Sequence, residues 1–391
     1  MTRRFKEPAI VFGGGMNGLG IVRNLWKAGI NVHCVTERIL DPALLSRGCY
    51  RRTVIPNFRE RRDLVTLFLR NFSAKVSSRP VIFSTDDMGT LMLSDLANTL
   101  KDDYTFVMPS REVAETLVVK TKFYDSLKKA SVPFPRVYKV EEFGNMMNLK
   151  KMVHYPLFIR PTFSQRFGKM FKRKGFVAAN EKELDHYYSL ALRQNMDVLF
   201  QEIVNGPDTS LYGIAGLFGK AGEPLAFFGY RRLRGWPVMF GNNSLIESWP
   251  LSELSKTQSI LIEYLRSIGY HGIMEAEFKI DSRDNQFKLL EVNARSWWQN
   301  SFPTKCGQNI VLKAYLDAIG KKVKPSEDYI KGLRWVDALG DLRSSIQNGE
   351  IMRLKWFKSL SRIRDFAFFD ISDPLPFLSR PLWVAGDVIS G

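Results

Sequence analysis

The sequence predicts a chain of mixed class, an open α/β unit at its N-terminal end followed by α+β segments built on antiparallel strands. Three observations carry this. Residues 9–35 read as strand, glycine-rich loop, helix and strand. Residues 211–231 read as a meander, and residues 276–292 as a hairpin with polar turn residues at its tip. Between these halves, residues 111–130 carry two short helical patterns.

Taken in order, the apolar run Ala9 to Phe12 meets the loop Gly13 to Gly20, a helix from Ile21 to Ala28 stopped by Gly29, and a strand from Asn31 to Val35. Gly13, Gly15 and Gly18 fit G-x-G-x-x-G, with Glu37 at about the distance of a ribose-binding acid, which taken alone favours NAD. The plainer account is that any tight strand-to-helix turn needs glycine. A strand at Val81 to Ser84 leads to the polar Thr85-Asp86-Asp87 and a helix from Leu91 to Leu100, and Pro109 closes the unit because proline cannot continue a central strand. Ser110 caps a helix from Arg111 to Leu117, and a second helix, Lys120 to Ala130, runs into Pro133. Tyr155 to Pro161 is a strand. The stretch Arg166 to Gly175, half of it cationic, reads as a basic loop joining it to a strand at Phe176 to Ala179. Val198 to Val204 is a strand ending in the turn Asn205 to Asp208, and Leu251 to Ile268 is an amphipathic helix stopped by Gly269. Near the C-terminal end, Arg353 to Arg364 reads as a basic amphipathic helix carrying Trp356 and Phe357, fit either to pack on the body or to lie on an anionic membrane.

The chain of 391 residues is long enough for two or three domains at about 100–200 residues each. Its 57 Lys and Arg against 40 Asp and Glu give a net charge of +17, which points to anionic partners: nucleotide, nucleic acid or an acidic lipid surface. The three cysteines, Cys34, Cys49 and Cys306, form no zinc spacing and their odd number argues against a disulfide framework, so a reducing cytoplasm is expected. No run approaches the ~18 apolar residues of a membrane span. No His-x-x-x-His or Ser/His/Asp arrangement stands out, which weakens hydrolase readings.

The chemistry concentrates on the hairpin. Its strands, Ala276 to Ile280 and Gln286 to Val292, put Glu277 and Glu291 on facing positions, and period two sets Asn293 on the face of Glu291. Two carboxylates and an amide carbonyl suit Mg²⁺, with Mn²⁺ as an alternative, and Glu275 is the rival of Glu277. Arg295 projects to the same side, where it can hold a phosphoryl group. Arg231, Arg232 and Arg234 form a cluster able to bind an acyl phosphate or a substrate carboxylate, with a solvated surface cluster as the simple alternative. Arg234 is the candidate taken.

The run E-F-K-x-D, a polar turn, then K-L-L-E-V-N-A-R resembles the metal-binding end of the ATP-grasp superfamily, with Ala294 where proline is usual. Tyr155-Pro156 to Arg160-Pro161 is similar to the family's Y-P-x-x-x-K-P strand, with Arg160 in place of the lysine. The resemblance covers about residues 1–325 and is to the carbamoyl-phosphate-synthase-like branch, which includes D-aspartate ligase and other carboxylate–amine ligases. It implies a Rossmann-like pre-ATP-grasp domain without NAD over 1–109, a two-lobed ATP-grasp domain over 110–325 with a small lid lobe at about 156–200, and a C-terminal extension over 326–391. It implies ATP contacts from Lys120, with Lys122 as its rival, from Arg160, and from the basic lid and its Lys174. Gln201 and Glu202 would meet the base and Asp208 the ribose, with Glu277, Glu291 and Asn293 on the metal and Arg295 and Arg234 in catalysis. The implied reaction joins a small-molecule carboxylate to an amine through an acyl phosphate, an amino acid being one substrate. A homodimer and peripheral contact with an anionic membrane are compatible with it, and no specific nucleic acid is expected. The competing class is a non-catalytic protein of the same fold that binds an anionic surface, favoured by the +17 charge and by Arg160.

Overall fold

The computed structural model describes residues 5–238, 240–349 and 355–381. Strands β1 (Ala9–Phe12), β2 (Val32–Thr36), β3 (Cys49–Val54), β4 (Val81–Ser84) and β5 (Thr105–Phe106) form a parallel sheet in the order β3-β2-β1-β4-β5. Both faces are covered, as parallel sheets require. Ala9 and Val11 of β1 enter one apolar core, and Ile10 and Phe12 the core on the other face. The chain order reverses between β1 and β4, the place where open sheets of this kind offer a crevice.

A second sheet is small and antiparallel: β6 (Val137–Tyr138), β7 (Leu157–Pro161), β8 (Phe176–Ala178) and β9 (Val198–Glu202), in the order β6-β9-β7-β8. It has its own core around Leu157, Ile159, Phe167 and Phe200. The third sheet has seven strands: β10 (Leu211–Phe218), β11 (Pro224–Trp236), β12 (Asn242–Trp249), β13 (Gly272–Asp281), β14 (Gln286–Asn293), β15 (Arg334–Val336) and β16 (Ile363–Phe366), in the order β14-β13-β10-β11-β12-β15-β16. One continuous core joins this sheet to the first: Val11, Leu19 and Phe83 belong to the same cluster as Ile214, Phe227 and Ala276. The large sheet and the first sheet therefore hold one another in place, while the small sheet packs around a core of its own.

Three elements differ from the sequence reading. The first helix begins at Gly15, not Ile21, so the glycine loop is a single turn around Gly13 and Gly15, both at positive φ. The basic stretch after β7 is mostly a helix, Ser164–Phe171, instead of a loop. Phe167 and Phe171, four apart, meet at 4.6 Å with their rings tilted and both meet Phe176 at 5.1 Å, so an apolar i,i+4 pair fixes the helix while the charges face outward. Near the C-terminal end, the expected helix over Arg353 to Arg364 stops at Ser359, its described part being Lys355–Ser359 and Arg353 and Leu354 lying outside the described residues. The chain then forms β16, an edge strand parallel to β15. Trp356 turns inward, its indole N–H donating to Asp341 at 2.8 Å.

Candidate active site

The hairpin register puts Glu277 opposite Glu291 and Glu275 opposite Asn293, so all four side chains share one face of β13 and β14. They line a cavity of about 400 Å³, together with Lys174, Arg160, Arg232 and Arg295. Glu275 is 2% exposed and fully engaged: it accepts from the Tyr230 hydroxyl and, at 2.6 Å, from Asn293 Nδ2. Burial and the neighbouring Glu277 charge push its carboxyl up to about 8. Glu277 has no protein hydrogen-bond donor among the described residues. Of the two rivals for a metal, the structure thus leaves Glu277 open and Glu275 occupied.

Glu291 meets buried Lys120 through Oε1, and Arg160 Nη2 reaches the same atom at 3.4 Å. Burial opposes its ionisation, but Lys120 and Arg160 outweigh it and hold the carboxyl below the usual range. Its Oε2 has no protein donor among the described residues. Arg295 donates to Asp87 at 2.7 Å, to the Ser296 carbonyl at 2.9 Å and to Asn293 Oδ1 at 2.9 Å, which fixes the amide oxygen on the face of Glu291. Among the described residues no three His, Cys, Asp or Glu side chains already form a metal cage. The hairpin instead offers two open carboxylates and an oriented amide oxygen, an oxygen set that suits Mg²⁺ with the rest of its shell left to ligand, and the crowded negative charge around Glu275 is what a dication relieves.

Besides reaching Glu291, Arg160 donates through Nη1 to Gln201 Oε1 and to the Tyr124 hydroxyl, both at 3.1 Å. Lys174 donates to Asn242 at 2.8 Å. Gln201, Glu202 and Asp208 line the cavity with Ile203, Val204, Leu211 and Leu290, and Phe158 stacks on Phe240 at 4.7 Å. The carboxylate of Glu202 is engaged by Arg283 and by the Arg136 N–H at 3.2 Å. The rival Lys122 is exposed and paired with Glu115, while Lys120 is 3% exposed and points at Glu291.

Arg234 does not reach the cavity. A β-bulge between Arg232 and Arg234 breaks the alternation along β11. Arg234 consequently forks onto Asp341 at 2.8 and 2.9 Å, both side chains buried, and donates to Ser359 at 2.6 Å. The arginine that faces the cavity is Arg232, 3% exposed, its Nε on Asn243 at 2.5 Å and with no carboxylate partner among the described residues. Sequence reading placed it in the right cluster and chose its neighbour, since a bulge has no residue signature here. Trp297, Trp298 and Gln299, which close the cavity after β14, were missed as well.

The glycine loop carries no comparable opening. Gly15 N–H donates to both Asp41 oxygens at 3.1 Å, and a Cβ on Gly14 would overlap that carboxylate. An acid of the chain itself sits where a dinucleotide phosphate would bind. Glu37, the expected ribose acid, pairs with Arg59, which also holds Asp86 at 2.9 Å. Asn17 donates to the carbonyls of Thr85 and Ser296 at 2.7 Å, and Asn300 donates back to Asn17, so the loop serves as a socket for the segment that follows the hairpin.

A parallel sheet with a closed glycine loop, a small antiparallel sheet and a large one with an acid-bearing hairpin together make the ATP-grasp fold, and this chain has it. No family model matches the chain. It is similar to D-aspartate ligase of Enterococcus faecium, 21% identical over 329 residues that span 80% of this chain and 77% of that protein. It also resembles the carbamoyl phosphate synthase large chain of Pyrococcus furiosus, 24% identical over 191 residues, 48% of this chain and 17% of that one. Among solved structures, the ADP complex of N5-carboxyaminoimidazole ribonucleotide synthetase superposes with a TM-score of 0.68 at 12% identity, covering 90% of this chain and 87% of that one. The biotin carboxylase domain of Hydrogenobacter thermophilus 2-oxoglutarate carboxylase, with MgADP and bicarbonate, gives 0.65 at 16% identity, covering 84% and 73%.

Proposed function

We propose that this chain is an ATP-dependent ligase that joins a carboxylate to an amine through an acyl phosphate. The observation that carries the reading is the open pair Glu277 and Glu291, directly opposed on the hairpin, in one cavity with Lys174, Arg160 and Arg232, which has no carboxylate partner among the described residues. Acids for a dication and cations for a polyphosphate then lie within one site. The neighbours solved with ADP or MgADP support a nucleotide there.

In the reaction a carboxylate oxygen of the substrate attacks the γ-phosphorus of ATP, the bond to the bridging oxygen breaks, and ADP leaves. The amine nitrogen then attacks the acyl carbon and loses a proton, and phosphate departs with the electrons of the broken C–O bond. The chain's work is alignment and charge neutralisation. Phe158, Leu211 and Leu290 give the base apolar walls, Gln201 offers its amide edge, and Asp208 accepts from ribose hydroxyls. Lys174 and Arg160 oppose the phosphate charge. Glu277, Glu291 Oε2 and Asn293 Oδ1 would hold Mg²⁺, which when bound supplies Lewis-acid stabilisation of the phosphoryl oxygens. Arg295 aims the Asn293 oxygen, and Arg232 takes the substrate carboxylate or the acyl phosphate made from it. Trp297, 3% exposed, closes the wall on the side of the reacting atoms, where water would hydrolyse the acyl phosphate.

The test is an ADP-release screen across amino acids and short peptides with Mg²⁺, read with mass spectrometry of the products. A new amide that appears only with ATP supports the reading. Calorimetry that finds tight NADH binding and no ATP binding rejects it.

A further inference from the structure

The C-terminal strand β16 and the segment after it sort their side chains by sign. Of the twenty large apolar side chains that stand exposed among the described residues, six lie between residues 366 and 378: Phe366, Phe369, Ile371, Leu375, Phe377 and Leu378. Ile371 is 88% exposed and Leu378 67%. Phe369 bridges the group, with ring centroids 6.1 Å from Phe366 and 5.5 Å from Phe377. A cluster of this kind is not ordinary surface.

All three acids of this stretch turn the other way. Asp365 is buried and accepts from Ser301 at 2.6 Å. Asp373 is fully buried against Arg23 at 2.9 Å. Asp370 is held by Lys27 at 2.6 Å and Lys305 at 3.5 Å, two cations on one carboxylate. Arg380 turns inward to Asp337 at 2.7 Å, while two other bases stay outside. Alternation along β16 puts exposed Arg364 on the same face as exposed Phe366, and Arg364 has no carboxylate partner among the described residues. Exposed Arg47 reaches the Ser372 carbonyl at 3.3 Å, beside Ile371.

We propose that this face docks on an anionic lipid bilayer, with the Phe, Ile and Leu side chains at the acyl boundary and Arg47 and Arg364 at the headgroups. A polyanion such as nucleic acid matches the bases but leaves Ile371 and Leu378 without a partner. A second copy of a chain of net charge +17 matches the apolar group but sets like charges rim to rim. An acidic lipid surface satisfies both. No helix among the described residues is long and apolar enough to cross a membrane, so the contact is peripheral.

Vesicle co-sedimentation of the full chain tests this, with phosphatidylcholine alone and with phosphatidylserine added. The expected result is binding to the anionic vesicles that weakens as salt rises, and little binding to the neutral ones. Ile371→Asp combined with Leu378→Asp lowers that binding by about tenfold or more, and Arg364→Gln by about fivefold, the share of one charge near an acidic surface. Both apolar positions are exposed, so the double variant keeps its melting temperature and its ATP turnover in solution. Wild-type binding that the double variant leaves unchanged overturns the proposal, as does absence of binding to anionic vesicles. A wild-type dimer that the double variant splits, with no vesicle binding, assigns the face to a second copy and overturns it too.

Discussion

The glycine loop after β1 and the hairpin of β13 and β14 both present polar groups at the end of a strand, and both read from sequence as ligand sites. They differ in what the chain itself supplies. In the loop, Asp41 takes the Gly15 N–H, Asn17 takes the carbonyls of Thr85 and Ser296, and Asn300 takes Asn17. At the hairpin, Glu277 and the Oε2 of Glu291 are left without a protein donor among the described residues. A motif marks a place where backbone or charge is available; whether it binds anything depends on which distant side chains reach it first.

The strongest way to break this contrast is to remove charge from the open site. Glu277→Gln keeps the shape and takes one negative charge from the metal face, and should lower ADP release by about two orders of magnitude or more with the melting temperature unchanged. Glu291→Gln should lose as much activity and also stability, because Lys120 is then left buried without its counter-charge. Near-wild-type turnover of Glu277→Gln at limiting Mg²⁺ would remove the hairpin from the mechanism.

The same contrast recurs inside β11. Arg234→Gln breaks a buried ion pair and leaves Asp341 uncompensated, so unfolding in urea should show a loss of about 3–5 kcal/mol. Arg232→Gln removes a buried cation that lacks a carboxylate partner among the described residues, and should leave stability equal or higher while the KM of the carboxylate substrate rises. If the two variants exchange these effects, the bulge does not direct the side chains as described.

How far the sequence discloses the molecule follows from the range of the interactions. Period-two reading of the hairpin places Glu277, Glu291 and Asn293 together because the pairing is local and its turn is marked by Asp281 to Asn285. The strand at Leu157–Pro161 and the cap of Ser110 on the helix Arg111–Val118 are legible for the same reason. What escapes is set by long-range partners. Asp41 closes the loop from 26 residues away, and Lys120 meets Glu291 across 171. The bulge that turns Arg234 toward Asp341 has no local sign, and the charges of residues 166–174 mask the helical spacing of Phe167 and Phe171.

Acid offers a way to perturb the first sheet through a single buried side chain. His33 is 7% exposed on β2, against Phe68 and Phe72, with Nε2 at 2.7 Å from Thr53 Oγ1. Burial, with the Arg51 charge adding to it, lowers its pKa to about 4. The folded value lies below the unfolded one of about 6.5, so the unfolded chain binds the extra proton first. The contribution is complete above pH 6.5 or so and is lost as pH falls toward 4, up to about 3 kcal/mol at 1.36 kcal/mol per unit. A His33→Gln variant should therefore show a flatter stability profile between those pH values, and an unchanged slope in urea titrations would place the acid sensitivity elsewhere.

The smallest effect expected is also the one that separates socket from ligand site most directly. Asp41 accepts from the N–H groups of Gly15 and, at 2.8 Å, of Ala43, and its side chain is buried. Asp41→Ala leaves those donors unpaired at the start of a helix, a cost of about 1–3 kcal/mol. It also removes the negative charge from the helix N-terminus, so the opened loop gains room and potential for an anion. If the loop is a structural socket, the variant melts earlier, turns over ATP at the wild-type rate per folded molecule, and still binds no NADH by calorimetry. Glu37 remains paired with Arg59 and the crevice stays narrowed by the Asn17 and Asn300 amides, so one deletion does not rebuild a dinucleotide site. Asp41→Asn, which keeps one acceptor, should recover most of the stability. NADH binding by Asp41→Ala in the micromolar range would mean that a single carboxylate, not the packing of the loop against the segment after the hairpin, is what distinguishes the two regions.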